Sequence, residues 1–261
     1  MTDMPVEIGT DHCRVVPPGN DNSLEQQMEF CRHAFVYEEV AARLPGNGRI
    51  LEVGCGAGYG TRRIADKVAW VIGTDFSFQA VAYARQSFPA GDFCQASGTS
   101  LPFSDGEFDA VISFQVIEHV VDAAGFIREL HRVLKPGGKL YMTTPNRLLR
   151  LLPFQKPWNP YHVKEYSGRE LRQLVRGLFP EFDLQGVMAR PDLMRLEKRR
   201  VSQNPLVKLA VMVSGRFGKR FERDESTLAV DAAPVSLNDF YLTGDVDRSL
   251  DLFVMATREN L

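Results

Sequence analysis

An apolar run, Ile50-Leu-Glu-Val53, passes directly into glycines at four alternate positions, Gly54, Gly56, Gly58 and Gly60. A strand with few polar breaks is one buried on both faces, which is the habit of a central parallel strand. When such a strand ends in a glycine-rich turn and enters a helix, unpaired backbone N–H groups face a ligand. The alternation that follows agrees with this. Residues 61–68 read as a helix, 70–74 as a strand, 78–88 as a helix, and 92–95 and 109–114 as strands. Asp122 can cap a helix carrying Phe126, Ile127, Leu130, Val133 and Leu134, with Lys135-Pro-Gly-Gly138 ending it before a strand over 139–144. The rhythm predicts an α/β fold, a doubly wound, mostly parallel sheet with helices on both faces. Ser23 with Gln26, and Ser167 with Glu170, have the spacing of capping boxes that open two further helices, and 182–188 and 249–256 read as late strands.

The glycine spacing bears on the ligand. A dinucleotide loop has the form G-x-G-x-x-G, its third glycine allowing the helix to pack close to the strand. Here Tyr59 stands at that third position, which disfavours a nicotinamide-dependent oxidoreductase. Asp75 closes the second strand about 20 residues on, where a carboxylate can accept hydrogen bonds from both ribose hydroxyls; capping the next helix is its alternative use. Glu52 lies inside the first strand, and a buried carboxylate is costly unless it meets a cation or hydrogen-bond donors. An ammonium-bearing ligand would serve.

Taken in order, Glu52-Val-Gly-Cys-Gly-Ala-Gly58, Gly73-Thr-Asp75, Leu101-Pro-Phe103, Phe108-Asp109, Val116-Ile-Glu-His119 and Arg132-Val-Leu-Lys-Pro-Gly-Gly138 resemble the class I S-adenosylmethionine-dependent methyltransferases. The match runs from about Ile50 to Asn146. The resemblance implies a Rossmann-like sheet of seven strands with an antiparallel last strand, a helical N-terminal lid and a C-terminal insertion. It also implies S-adenosylmethionine as cofactor, with Glu52, Gly54, Cys55, Gly56 and Gly58 at the methionine and ribose, Asp75 on the ribose and Phe76 against the adenine. Ser97 and Gly98 would lie at the adenine amino group, where many relatives carry an aspartate in place of Ser97. Phe114 and Gln115 complete the expected cofactor set.

In open α/β sheets ligands sit beyond the C-terminal strand ends, so chemistry is expected where the fourth and fifth strands finish. His119 and His162 are the candidate bases for an alcohol or phenol acceptor, since histidine suits proton removal near neutral pH. His33, Asn146 and Tyr161 are candidate acceptor contacts. His131 reads as solvent-facing and His12 as part of a loose tail. No metal site is expected: the four cysteines show no C-x-x-C spacing.

The expected organisation is a tail over 1–22, a helix and lid over 23–46, a cofactor-binding core over 47–189, a basic insertion over 190–235 and a last strand within 236–261. Between 190 and 223 ten Arg or Lys residues face three acidic ones. Residues 195–221 could therefore lie on an anionic membrane surface as an amphipathic helix, or cap the acceptor pocket. A net charge of −2 argues against bulk binding of nucleic acid. The N-terminus lacks a secretory h-region and no apolar run suits a membrane span, so a cytoplasmic protein is expected. The reaction expected is methyl transfer to a small-molecule, sugar or oligosaccharide, or lipid-linked acceptor, chiefly at oxygen. A quinone-pathway O-methyltransferase and a non-catalytic S-adenosylmethionine-binding sensor are the alternatives.

Overall fold

The computed structural model describes residues 23–151, 155–157, 159–202 and 234–260. The expected tail over 1–22 with His12, and residues 203–221 of the basic segment, lie outside the described residues.

The first helix, α1 (Leu24–Ala41), opens on the Ser23–Gln26 capping box read from the sequence. The core then follows as β1 (Arg49–Val53), α2 (Tyr59–Ala65), β2 (Trp70–Asp75), α3 (Phe78–Ser87), β3 (Asp92–Gln95), β4 (Phe108–Phe114), α4 (Ala123–Val133) and β5 (Leu134–Pro145). After it come α5 (Arg147–Arg150), α6 (Gly168–Arg176), β6 (Phe182–Ala189), α7 (Pro191–Ser202), β7 (Phe240–Thr243) and β8 (Asp251–Thr257).

The strands form one sheet in the order β3-β2-β1-β4-β5-β8-β6-β7. The first five pair in parallel, and β8 inserts antiparallel between β5 and β6. The sheet thus has eight strands rather than seven. The additional one, β7, is a four-residue edge strand paired antiparallel with β6, too short to show a period-2 pattern. The order reverses at β1, which has β2 on one side and β4 on the other, and the crevice for a ligand opens above these two strand ends.

Both faces of the sheet are covered. Phe126, Leu130, Leu171, Val175 and Phe179 from α4, α6 and the loop after α6 pack on one face. Met28, Phe35, Val40, Ile64, Leu193 and Met194 from α1, α2 and α7 pack on the other. In its described part, α7 therefore spends its apolar side on the core. His131 is not solvent-facing: it is half-buried, its ring edge-on to Phe179 at 5.1 Å.

Three of the sequence motifs prove to be one structural latch. The Arg132 guanidinium donates to the carbonyls of Leu101 (3.0 Å) and Phe103 (2.8 Å) while pairing with Glu129 and Asp105. Glu129 in turn accepts from the Leu101 N–H at 2.8 Å, and Lys135 reaches Asp109 at 2.8 Å. The latch ties the segment before β4 to the end of α4, and none of its residues lines the ligand crevice.

Candidate active site

A cavity of about 1040 Å³ opens above the C-terminal ends of β1 and β4. That is ample for an adenosine cofactor with an acceptor beside it. Its walls come from the β1–α2 loop, the end of β2, the segment 96–99, the segment 114–122, α1 and the loop 159–165.

At one end sits the glycine loop. Gly54, Gly56 and Gly58 all have positive φ, at 81°, 52° and 78°, a backbone that L side chains avoid. What crowds two of them is the protein itself. A Cβ on Gly54 would stand 2.2 Å from Val116, and one on Gly58 would stand 2.8 Å from both Ala84 and Phe93. Gly60 matters as much: a Cβ there would fall 2.1 Å from the ring of Tyr37. That contact lets α1 pass close over α2, and it delivers the Tyr37 hydroxyl to Glu52. Gly54, Cys55 and Gly56 line the cavity, whereas Gly58 packs behind it.

Glu52 is buried and accepts hydrogen bonds from the hydroxyls of Tyr37 and Thr61. Burial pushes its carboxyl up to about 7, against the pull of those two donors. Donors, not a cation, thus meet this carboxyl in the protein, and it does not line the cavity; Tyr37 stands there in its place. The cofactor contact expected of Glu52 is not made from the cavity wall: the carboxyl lies under the loop with Tyr37 at the wall.

Asp75 combines the two uses read for it. Its carboxylate accepts from the Gly56 N–H at 2.9 Å and from the Ser77 N–H at 2.8 Å, and it lines the cavity. Ser77 itself caps α3. Phe76 is 77% exposed at the rim. Ser97 lines the same side, its hydroxyl 2.9 Å from that of Thr99. Gly98 is required by packing as well, since a Cβ there would stand 2.5 Å from Phe126. Phe114 packs edge-on to Tyr37 at 4.8 Å. Gln115 is the one non-glycine residue with positive φ among those described, at 57°, held by a 2.9 Å bond from its N–H to the Thr143 carbonyl. Strain of this kind on a cavity-lining residue concentrates at functional sites.

At the other end the chain brings together Glu118, His119, Tyr161 and His162. The rings of His119 and His162 are perpendicular with centroids 4.7 Å apart. His119 Nδ1 lies 3.0 Å from the Tyr161 carbonyl, and His162 Nδ1 lies 3.0 Å from the Glu165 carboxylate. The loop is anchored by the Glu118 carbonyl, which accepts from the N–H groups of Val163 (2.7 Å) and Lys164 (3.1 Å). The Glu118 carboxyl is buried and accepts from the Thr144 hydroxyl at 2.9 Å; burial pushes it up to about 8. His33 on α1 also faces the cavity, and burial together with neighbouring Arg32 pushes it down to about 3.

Asn146 does not join them. Its carboxamide N–H₂ donates to the carbonyls of Val246 and Ser249 at 2.9 Å, and its oxygen caps α5 through the Leu148 N–H. It is fully buried and absent from the cavity wall, so the acceptor contact read for it is replaced by a tie between two loops. Glu118, Glu165 and Arg150 line the histidine end of the cavity; none was among the expected site residues, although Glu118 stands in a quoted motif. Only the Glu118-His119 pair had a local signal, because the loop 159–165 reaches the site through the fold.

The parallel sheet with its switch point, the glycine turn and an acid at the end of β2 define a Rossmann-like nucleotide-cofactor fold. Residues 51–142 match the family model described as a methyltransferase domain. A probable S-adenosylmethionine-dependent methyltransferase of Mycolicibacterium smegmatis is 38% identical over 239 residues, covering 90% of each chain. A ubiquinone biosynthesis O-methyltransferase of Brucella anthropi is 30% identical over 188 residues, covering 67% of this chain and 75% of its own. The crystal structure of a methyltransferase from Thermotoga maritima superposes with a TM-score of 0.57 at 20% identity, over 90% of this chain and 95% of that one. The chain belongs to the S-adenosylmethionine-dependent methyltransferases and is an enzyme of that class, with S-adenosylmethionine as its cofactor. Among the described residues, no helix is long and apolar enough to cross a membrane.

Proposed function

We propose that the enzyme transfers the methyl group to an oxygen of a small-molecule, sugar or lipid-linked acceptor bound between the cofactor loop and the histidine pair. The carrying observation is the meeting of His119 and His162 in the cofactor cavity, with the Nδ1 of His162 on Glu165. A carboxylate on one ring nitrogen orients the imidazole and leaves the other to take a proton. In this reading Gly54, Cys55, Gly56, Phe114 and Gln115 border the methionine part, Asp75 takes the ribose, and Phe76, Ser97 and Gly98 border the adenine. Glu52 acts through Tyr37 and the loop, and Tyr161 and His33 border the acceptor. Methyl transfer is an in-line displacement: the acceptor oxygen attacks the methyl carbon, the C–S bond breaks, and the electron pair returns to sulfur. The cofactor supplies the reactivity, and the protein aligns the oxygen and takes its proton.

A quinone-pathway acceptor is the second reading, supported by the likeness to the ubiquinone biosynthesis O-methyltransferase. Release of S-adenosylhomocysteine with panels of sugars, glycolipids and polyprenyl phenols separates the readings, and no release with any panel would favour a sensor. His162→Ala should lower turnover on the true acceptor by about 10²–10⁴-fold while cofactor affinity by calorimetry stays nearly unchanged. Unaltered turnover would remove His162 from the reaction.

A further inference from the structure

Glu118, His119 and His162 each offer one ligand atom, and the three atoms lie within 4.8 Å of one another. Ligands of a first-row metal ion at ~2.1 Å stand roughly 3–3.5 Å apart, so holding one would draw the widest pair of the set together by roughly 1–2 Å. Two imidazoles and one carboxylate are the donors such ions prefer, whereas magnesium and calcium favour oxygen alone.

The surroundings are those of a built metal site. A carbonyl oxygen can only accept, so His119 Nδ1, 3.0 Å from the Tyr161 carbonyl, carries the hydrogen. A carboxylate imposes the same on His162 Nδ1, 3.0 Å from Glu165. A neutral imidazole held through Nδ1–H carries its lone pair on Nε2. Metal-binding histidines are held in this way, with the far nitrogen donating to a carboxylate or backbone carbonyl. Thr144 orients the third ligand by donating to Glu118 at 2.9 Å. All three side chains line the cavity that also holds Gly56 and Asp75.

We propose that Glu118, His119 and His162 bind a first-row divalent transition-metal ion at the acceptor end of the cavity. Its binding rests on these residues alone; its catalytic use rests on the methyl-transfer reading above. Such an ion would lower the pKa of an acceptor hydroxyl bound to it, so that the proton could pass to solvent nearer neutral pH. The oxygen then attacks the methyl carbon as the C–S bond breaks. Acceptors with two neighbouring oxygens, such as vicinal diols or catechol-like phenols, suit the open positions of a three-ligand ion. Without the ion His162 keeps the proton-taking role given above; with it bound, both histidines would hold the ion.

The test uses the full-length protein, stripped with a chelator and titrated with Co²⁺ and Zn²⁺ by calorimetry and visible spectroscopy. Uptake of about one equivalent, with the d–d absorption of nitrogen-ligated Co²⁺, is expected. The His119→Ala/His162→Ala double variant should lose it while still binding S-adenosylmethionine, which also shows that it folds. If the double variant does not fold, Glu165→Gln decides, with an expected loss of metal affinity of roughly tenfold or more. No uptake by the wild type, equal uptake by a folded double variant, or unchanged affinity in Glu165→Gln would each overturn the proposal. Metal uptake without any binding of S-adenosylmethionine would instead count against the methyl-transfer reading and leave the ion site standing.

Discussion

The two ends of the cavity are built on different physical terms. The glycine loop at the end of β1 is shaped by backbone and close packing: positive φ at three positions and side chains pressed against Gly54, Gly58 and Gly60. The glycines and Asp75 lie within one β–α–β stretch, while the side chains that press on the glycines come from α1, α3, β3 and the segment after β4. The histidine end is shaped by side-chain hydrogen bonds between segments far apart in sequence, as between His119 and Tyr161 or Glu118 and Thr144. The first arrangement tolerates little beyond glycine but leaves other details open. The second depends on each side chain's identity while its backbone is ordinary, apart from Gln115. An end built from backbone suits a cofactor shared by many enzymes, and an end built from side chains suits an acceptor particular to one.

The hardest test of that contrast is Gly56→Arg. Gly56 lines the cavity with φ 52° and donates to Asp75 at 2.9 Å, so a long side chain there meets both strained backbone and the ligand's space. Calorimetry should show cofactor affinity falling by three orders of magnitude, ~4 kcal/mol; a folded variant that binds normally would refute this placement of the cofactor. Glu52→Gln probes the layer beneath the loop. The folded protein holds a proton on Glu52 up to about 7, against 4.5 ordinarily. Between those values the native state binds more protons than the unfolded one, so this group makes stability fall as pH rises. The variant lacks that slope and should differ from the wild type by about 3 kcal/mol across the window, read by denaturant melts at several pH values; parallel pH curves would contradict the raised value.

Arg132→Ala separates architecture from site. It should lower stability by about 2 kcal/mol, seen as a drop in Tm, because two carbonyls and two carboxylates lose their partner. Cofactor affinity should stay within about twofold, and a larger change would mean that the latch shapes the cavity. The smallest effect is expected from Ser97→Asp, which places a carboxylate on the cavity wall where the adenine is proposed to lie. A gain in affinity within about tenfold is expected, the scale of one charge-assisted hydrogen bond, and no gain would move the adenine away from Ser97.

Much of this was legible in the chain. The βαβ rhythm from 49 to 144, both capping boxes, the Asp122 cap and the two late strands all appear at or near their expected places. These are local features, written in periodicity and in short-range side chain–backbone bonds. The boundary errors share that logic. Helix α2 begins at Tyr59, directly after Gly58, rather than at 61, and β5 already begins at Leu134, expected at the end of the helix, and runs through the Lys135–Gly138 stop. The edge strand β7 was missed because four residues carry too little pattern.

The sequence by itself determined the central parallel sheet, the glycine turn and the family, because hydrophobic period and glycine spacing act over a few residues at a time. Tertiary structure alone decided what each glycine makes room for: Val116 for Gly54, Phe93 and Ala84 for Gly58, Tyr37 for Gly60. It also turned Asn146 away from the cavity, gave Glu52 to Tyr37 and Thr61, and carried the loop 159–165 across to His119. Those outcomes depend on which distant surfaces meet, and no local pattern in the chain encodes such a meeting.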